Sequence, residues 1–210
     1  MNCVQGYVKI VLVLTVLLLS VGILKLFWKI DNELQQYSFN EIVKKVLCFG
    51  SIISWGLLLV YPQGVMTEQI CIIVLAVYLT VCTVTDIFFY QVYDLMQYPG
   101  VLGGCIWILL KEPQTALGGS LILFAGMQYF ILIKKYGKAD GMGYCICSLY
   151  LAGSGVDIEG YLYHMIISFS LLAVVQGIRG NITRKGNLKK AVALYPYIAV
   201  GFIIMWIFLY

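Results

Sequence analysis

The sequence predicts an all-α protein that is embedded in a membrane. Of the 210 residues, 61% are hydrophobic and only 11% are charged, whereas a soluble domain has about a quarter of its residues charged. The mean hydropathy is +0.91. The apolar residues also occur in runs close to the ~20 residues that cross a bilayer as a helix. We therefore expect a polytopic integral membrane protein that forms one membrane domain over residues 1–210.

Eight apolar segments follow one another, so we expect about eight transmembrane helices. The first is predicted to be a retained helix and not a cleaved signal, because Lys25 and Lys29 follow it without a small-residue cleavage site. Ser38 and Glu41 have capping-box spacing, which predicts a helix that starts near Phe39 and continues into the second segment. The segments are approximately 8–28, 43–61, 69–90, 92–110, 115–133, 140–153, 161–178 and 191–209.

The basic residues predict the orientation, because lysine and arginine concentrate on the cytoplasmic side of membrane proteins. With the N-terminus outside, every lysine and arginine except Lys9 and Lys111 falls on the inner side. With eight segments, the C-terminus is then outside as well. The localisation expected is a cytoplasmic (inner) membrane, with the lipid bilayer as surroundings.

The other polar features favour neither nucleic acid nor metal. The net charge of +4 is small and dispersed along the chain. There is no C-x-x-C pair, and we expect Cys48, Cys71, Cys82 and Cys105 to be small buried apolar residues. His164, the one histidine, is predicted to be a hydrogen-bonded packing residue in the outer third of the seventh segment. We expect no metal site and no cofactor.

Two acidic residues, Asp86 and Asp140, stand in apolar segments. A charged group in hydrocarbon costs at least ~2.5 kcal/mol, so such residues are candidates for function. Asp86 lies near the inner end of the third segment and Asp140 at the inner start of the sixth. The alternation of the segments therefore predicts that both reach the same cytoplasmic boundary. There they would form a carboxylate pair that shares a proton and activates water.

Each of these acids also has a purely structural interpretation. Asp86 could face water at a helix end, although its loop holds no lysine or arginine to pair with it. Asp140 could be the N-cap of the sixth segment, a position that favours aspartate. Asp94 is a third acid at the same boundary, where it could cap the fourth segment. Lys138 is expected to serve orientation, although it could bias the protonation of Asp140.

The sequence after Asp86 resembles that of the type IV prepilin peptidases and the related preflagellin peptidases, which are polytopic membrane aspartic proteases. In this family the first catalytic aspartate closes a transmembrane helix and precedes an Ile-Pro-Asn motif. Asp86 is followed six to eight residues later by Val92, Tyr93 and Asp94. Tyrosine thus replaces the proline of the family and aspartate replaces the asparagine.

Two further stretches resemble the same family. The second aspartate of the family ends a G-x-G-D or G-x-x-D motif, which Gly137 and Asp140 match after two intervening segments; Ala139 replaces the second glycine. The stretch A-L-Y-P-Y-I-A-V-G-F at 193–202 is similar to the Pro-Phe-x-Pro-type start of the last helix in the family. The resemblance covers residues 74–210, which correspond to the peptidase core.

The resemblance implies an aspartic endopeptidase that removes the short basic leader of a pilin-like precursor at the cytoplasmic membrane face. Asp86 and Asp140 would be catalytic, and Gly137, Gly141 and Asp94 would support the motif. Bifunctional members of the family carry a cytoplasmic domain between their first two helices. Here that place is taken by the short cytoplasmic loop 31–45, so N-methylation of the product is not expected.

Two alternatives remain open on the sequence. Tyr93 and Asp94 also resemble the Tyr-Asp motif of presenilin and signal peptide peptidase, which would pair Asp94 with Asp140 for intramembrane proteolysis. The second alternative is a component of an ion-coupled membrane transporter without enzymatic activity, because intramembrane acids commonly carry protons or coordinate cations.

Overall fold

The computed structural model describes residues 3–60, 66–90, 92–111, 115–135, 137–183 and 192–209. Within these ranges every element is a helix and there is no strand, as the sequence predicts. The α-helices are α1 (Cys3–Ile30), α2 (Phe39–Lys45), α3 (Ser51–Val60), α4 (Met66–Phe89), α5 (Asp94–Lys111), α6 (Thr115–Lys135), α7 (Lys138–Gly153), α8 (Ile158–Thr183) and α9 (Tyr195–Leu209).

Three of the described helices are long and apolar enough to cross a membrane. They comprise Gly6–Ile30 in α1, Met66–Phe89, and Ile158–Ile178 in α8; Tyr195–Leu209 is a shorter apolar helix. In α4, 78% of the most apolar stretch of the helix is buried inside the protein, compared with 22% of the corresponding stretches in α1 and α8. The helix that carries Asp86 is therefore central, and the other two present apolar surface to their surroundings.

The second apolar segment is not one continuous α-helix. It starts at Phe39 as predicted, where Ser38 Oγ accepts a hydrogen bond of 3.3 Å from the Glu41 backbone N–H. A π-helical turn at Val46–Gly50 then separates α2 from α3. A Cβ placed on Gly50 would lie 2.7 Å from Leu17 Cδ2, so a side chain of α1 packs against the backbone at this turn.

Contacts between helix ends define a common end of the bundle, which we call the acidic end because Asp86, Asp94 and Asp140 lie there. The last turn of α4 and the first turns of α5, α7 and α9 meet at this end. At the opposite end, Lys111 closes α5 and forms an ion pair of 2.9 Å with Glu68 in the first turn of α4. The consecutive helices α4 and α5 are thus antiparallel.

The boundaries of two helices correct the sequence prediction. Gly137 is the N-cap of α7, which begins at Lys138, so Asp140 lies inside the first turn and is not the cap. The backbone of Gly137 has φ +154°, a conformation that side-chain-bearing residues rarely adopt. The last helix begins at Tyr195, later than the predicted start at residue 191, which lies outside the described residues.

The cysteines and the histidine agree with the prediction only in part. Cys71 and Cys82 are buried, but Cys48 and Cys105 are exposed on the outer surface of the bundle. A membrane-facing surface is apolar too, so an apolar residue in such a helix need not face the protein interior. His164 is buried, with Nε2 3.1 Å from the carbonyl oxygen of Ile198 in the first turn of α9. It therefore lies nearer the acidic end than its place in the sequence predicts.

Candidate active site

Asp86 lies one turn before the end of α4, with 6% of its surface exposed. Its Oδ2 accepts a hydrogen bond of 2.8 Å from the backbone N–H of Tyr195, and the backbone N–H of Leu194 also donates to the carboxylate. The first N–H groups of a helix have no partner within the helix and carry partial positive charge. The start of α9 thus holds the Asp86 carboxylate in place where no lysine or arginine follows it in the loop.

Asp140 occupies the first turn of α7 and is half-buried. The end of α4 and the start of α7 are both hydrogen-bonded to the same residue at the start of α9, which places Asp140 near Asp86. The two acids are 54 positions apart in the sequence (140 − 86), and the fold places both at the acidic end. The two glycines of the motif serve this placement: Gly137 provides the unusual turn before α7, and Gly141 lets α7 approach α6. A Cβ on Gly141 would lie 3.0 Å from Cδ2 of Tyr129.

A tyrosine that the sequence did not single out connects the surroundings of both acids. The Tyr195 hydroxyl donates a hydrogen bond of 3.1 Å to the carbonyl oxygen of Ala139, the residue before Asp140. The same tyrosine binds Asp86 through its backbone N–H. Tyr195 belongs to the C-terminal stretch that resembles the peptidase family, and this was the one sequence signal that pointed to it.

The Tyr195 hydroxyl belongs to a buried polar cluster beneath the acids. It lies 2.8 Å from the Tyr78 hydroxyl and accepts a hydrogen bond of 3.3 Å from Gln97 Nε2. Tyr78 in turn donates to Gln97 Oε1 at 2.9 Å. All three side chains are buried. A glutamine within an apolar segment was the available sequence signal for this cluster, because buried polar groups need hydrogen-bonding partners.

Asp94 stands apart from the pair. It is the first residue of α5, and its side chain is 71% exposed. Its Oδ2 lies 3.5 Å from Nζ of Lys138, which is itself 65% exposed. Lys138 therefore forms an ion pair with Asp94, which the sequence did not predict. The exposed ion pair joins the first turns of α5 and α7 at the acidic end.

The loop between α4 and α5 is held by the segment that follows α1. The Tyr93 hydroxyl donates a hydrogen bond to Asp31 Oδ2, and the Tyr93 ring stacks on Phe27 with centroids 4.3 Å apart. The Tyr37 hydroxyl donates to the Phe88 carbonyl at 3.3 Å. The bond from Tyr93 lowers the pKa of Asp31. Burial, followed by the bond to Asp31, raises the pKa of Tyr93. Residues 31–37 thus form a strap beside the acidic end.

The donor set of the site consists of carboxylates, phenols, an amide and backbone groups. In the part of the chain that the structure describes, there is no group of three or more His, Cys, Asp or Glu side chains that could hold a metal ion. Two adjacent carboxylates do not ionise easily together, so one can keep a proton while the other acts as a base. Comparisons with known protein families, curated proteins and solved structures find no match to this chain.

Proposed function

We propose that this protein is a membrane aspartic endopeptidase that removes the short basic leader from pilin-like precursors. The observation that carries the proposal is the meeting of Asp86 and Asp140 at the acidic end. Asp86 comes from the end of α4 and Asp140 from the start of α7, and Tyr195 bonds both to Asp86 and to the residue before Asp140. The sequence stretches that resemble the prepilin peptidases are the ones that meet here, including the start of α9.

The proposed chemistry needs a base and an acid at one site. One carboxylate removes a proton from water, which attacks the carbonyl carbon of the scissile peptide bond. The protonated partner polarises the carbonyl oxygen and then delivers a proton so that the amine can leave. The two aspartates titrate as a unit, so the shared proton belongs to the pair and not to either residue.

The proposed topology places this chemistry at the cytoplasmic face. It counts α2, the π-helical turn and α3 as one pass, which makes eight passes with both termini outside. The acidic end then coincides with the side on which most lysines and arginines lie. The pair Lys111–Glu68 supports this assignment, because it puts an outer lysine at the opposite end of the bundle. A precursor whose basic leader stays in the cytoplasm would present its cleavage site at this boundary.

The geometry favours Asp86 over Asp94 as the partner of Asp140. The Asp94 side chain is 71% exposed and forms an ion pair with Lys138. Asp86 is buried and is bound by Tyr195, which also bonds to the residue before Asp140. A transporter role is also less well supported, because the acids occupy helix ends at one boundary and not the middle of the bundle.

Cleavage of a pilin-like precursor in membranes tests the proposal. Asp86→Asn and Asp140→Asn should each abolish cleavage, because each removes a group that exchanges protons in every turnover, while both variants still accumulate in the membrane. Asp94→Asn should retain substantial activity, since it restores the residue usual in the resembled family. Asp157→Asn serves as a matched control, because Asp157 is an exposed acid in the loop between α7 and α8.

Two outcomes would contradict the proposal in different ways. Loss of cleavage in Asp94→Asn together with normal cleavage in Asp86→Asn would transfer the catalytic role to the Asp94–Asp140 pair. Normal cleavage by all three variants would remove the aspartic protease function altogether.

A further inference from the structure

One residue connects the two helices that carry the proposed catalytic acids. The backbone N–H of Tyr195 binds the Asp86 carboxylate at 2.8 Å, and its hydroxyl binds the Ala139 carbonyl at 3.1 Å. Ala139 and Asp140 are consecutive residues in the first turn of α7. Tyr195 is therefore bonded to Asp86 itself and to the backbone immediately before Asp140.

The packing of the helices around Tyr195 restricts the position of its ring. The start of α9 contacts α4 on one side and α7 on the other, and the Tyr195 ring lies between them. Gly143 on α7 leaves the space that the ring occupies, because a Cβ there would lie 3.0 Å from the Tyr195 hydroxyl oxygen. The hydroxyl also accepts a hydrogen bond from Gln97 Nε2 and lies 2.8 Å from the Tyr78 hydroxyl. The ring thus has little freedom to move without shifting α4 or α7.

We propose that Tyr195 is a positioning residue that sets the spacing between Asp86 and Asp140. This role rests on the proposed protease function. The hydroxyl itself would not exchange protons with substrate, since it donates to a backbone carbonyl. It would act through the first turn of α7, which it ties to the same residue that binds Asp86. A displacement of about 1 Å in a catalytic group costs on the order of a hundredfold in rate.

Spacing also controls how strongly the two acids influence each other, which a pH–rate profile can measure. The limbs of a bell-shaped profile report the two macroscopic ionisations of a coupled pair. Wider separation weakens the coupling, so the limbs should move toward each other. If part of the enzyme were misfolded, the rate would be lower by the same factor at every pH, and the width of the profile would not change. Among the described residues, the titratable or charged groups around the pair include Cys82, Tyr78, Cys147, Tyr195, Tyr129 beside Gly141, and the ion pair of Lys138 with Asp94.

The test compares Tyr195→Phe with Tyr150→Phe in the full-length protein in membranes. Tyr195→Phe keeps the ring and the backbone bond to Asp86 and removes only the bonds of the hydroxyl. We expect kcat to fall by roughly tenfold or more, KM to change by less than about twofold, and the pH–rate profile to become narrower. Tyr150→Phe is a matched control: it also removes a buried hydroxyl, which binds the Cys71 carbonyl at 3.1 Å near the opposite end.

A second variant moves the same ring without changing it. Gly143→Ala should reproduce the low kcat and the narrow profile of Tyr195→Phe, whereas Gly126→Ala should behave as wild type because its Cβ meets open space. Wild-type kcat and profile width in Tyr195→Phe would overturn the positioning role while leaving the protease function intact. Absence of precursor cleavage by the wild type would remove the protease function and with it this role.

Discussion

The hydrogen bond from Tyr93 to Asp31 offers a quantitative test of how the acidic end is held together. Tyr93→Phe removes the hydroxyl that binds Asp31 but keeps the ring that stacks on Phe27 at 4.3 Å. A hydrogen bond to a charged group contributes about 1.5–3 kcal/mol when well shielded from water. Both partners here are only half-buried, so solvent screening reduces the expected loss to about 1 kcal/mol.

The expected loss of stability depends on pH, and the direction of this dependence follows from the pKa of Asp31. The Tyr93 bond lowers the pKa of Asp31 below its ordinary value of 3.8. A group whose folded-state pKa is lowered stabilises the protein above its unfolded-state pKa, and this contribution disappears as the pH falls through the folded-state pKa. The difference in the free energy of unfolding between wild type and Tyr93→Phe should therefore be largest at neutral pH and decrease below about pH 4.

Thermal unfolding in detergent measures this difference directly. A loss of about 1 kcal/mol lowers the Tm of a chain of this size by roughly 2–4 °C. Tyr163→Phe is the control, because it removes an exposed tyrosine bond to Glu159 on α8 and should leave the Tm unchanged. An unchanged Tm for Tyr93→Phe at neutral pH, or an equal decrease at about pH 3, would refute the role assigned to the charged bond.

Three other predictions concern the glycines and the topology. Gly137→Ala should destabilise the protein by about 1–3 kcal/mol and reduce cleavage, because alanine is strained at φ +154°; thermal unfolding and precursor cleavage measure both effects. Gly141→Ala should reduce cleavage more than Gly126→Ala, because its Cβ would lie 3.0 Å from Tyr129 whereas that of Gly126 meets nothing within 4 Å. A reporter inserted at 181–190 should report a cytoplasmic location. An external location would place both acids at the outer face and contradict the proposed cleavage of prepilin-like precursors.

The positions of the helices along the chain were largely predictable from the sequence. Apolar runs predicted the helix-rich fold, and the capping spacing of Ser38 predicted the start of α2 at Phe39. The π-helical turn at Val46–Gly50 was not predictable, because its residues are as apolar as those of α3, which continues the same apolar segment. The start of α7 was misplaced by two residues because the backbone conformation of Gly137, and not the side chain of Asp140, begins the helix.

Of the candidate site, the sequence predicted the two acids but not the residues that bind and position them. Asp86 and Asp140 stand out because carboxylates are rare in apolar segments, and the alternation of the segments brings them to one end. The exposed pairing of Asp94 with Lys138 could not be predicted from the sequence, since Asp94 has the spacing of a motif residue and Lys138 was assigned to orientation. Tyr195 could not be assigned either, because tyrosine is common among the apolar residues of this chain.

The sequence by itself determined that the chain is helical and apolar, and which acids stand at the ends of its apolar segments. Only the tertiary structure decided which side of each helix faces a neighbour: Cys105 is exposed while Cys82 is buried, and Tyr195 fits between α4 and α7. The physical reason is that lipid is as apolar as the interior of the protein. In water, the polar face of a helix marks its exposed side, but an apolar helix in lipid has no such face. Rotation about the helix axis then depends on close packing at glycines and on a few buried hydrogen bonds, which appear only once the helices are assembled.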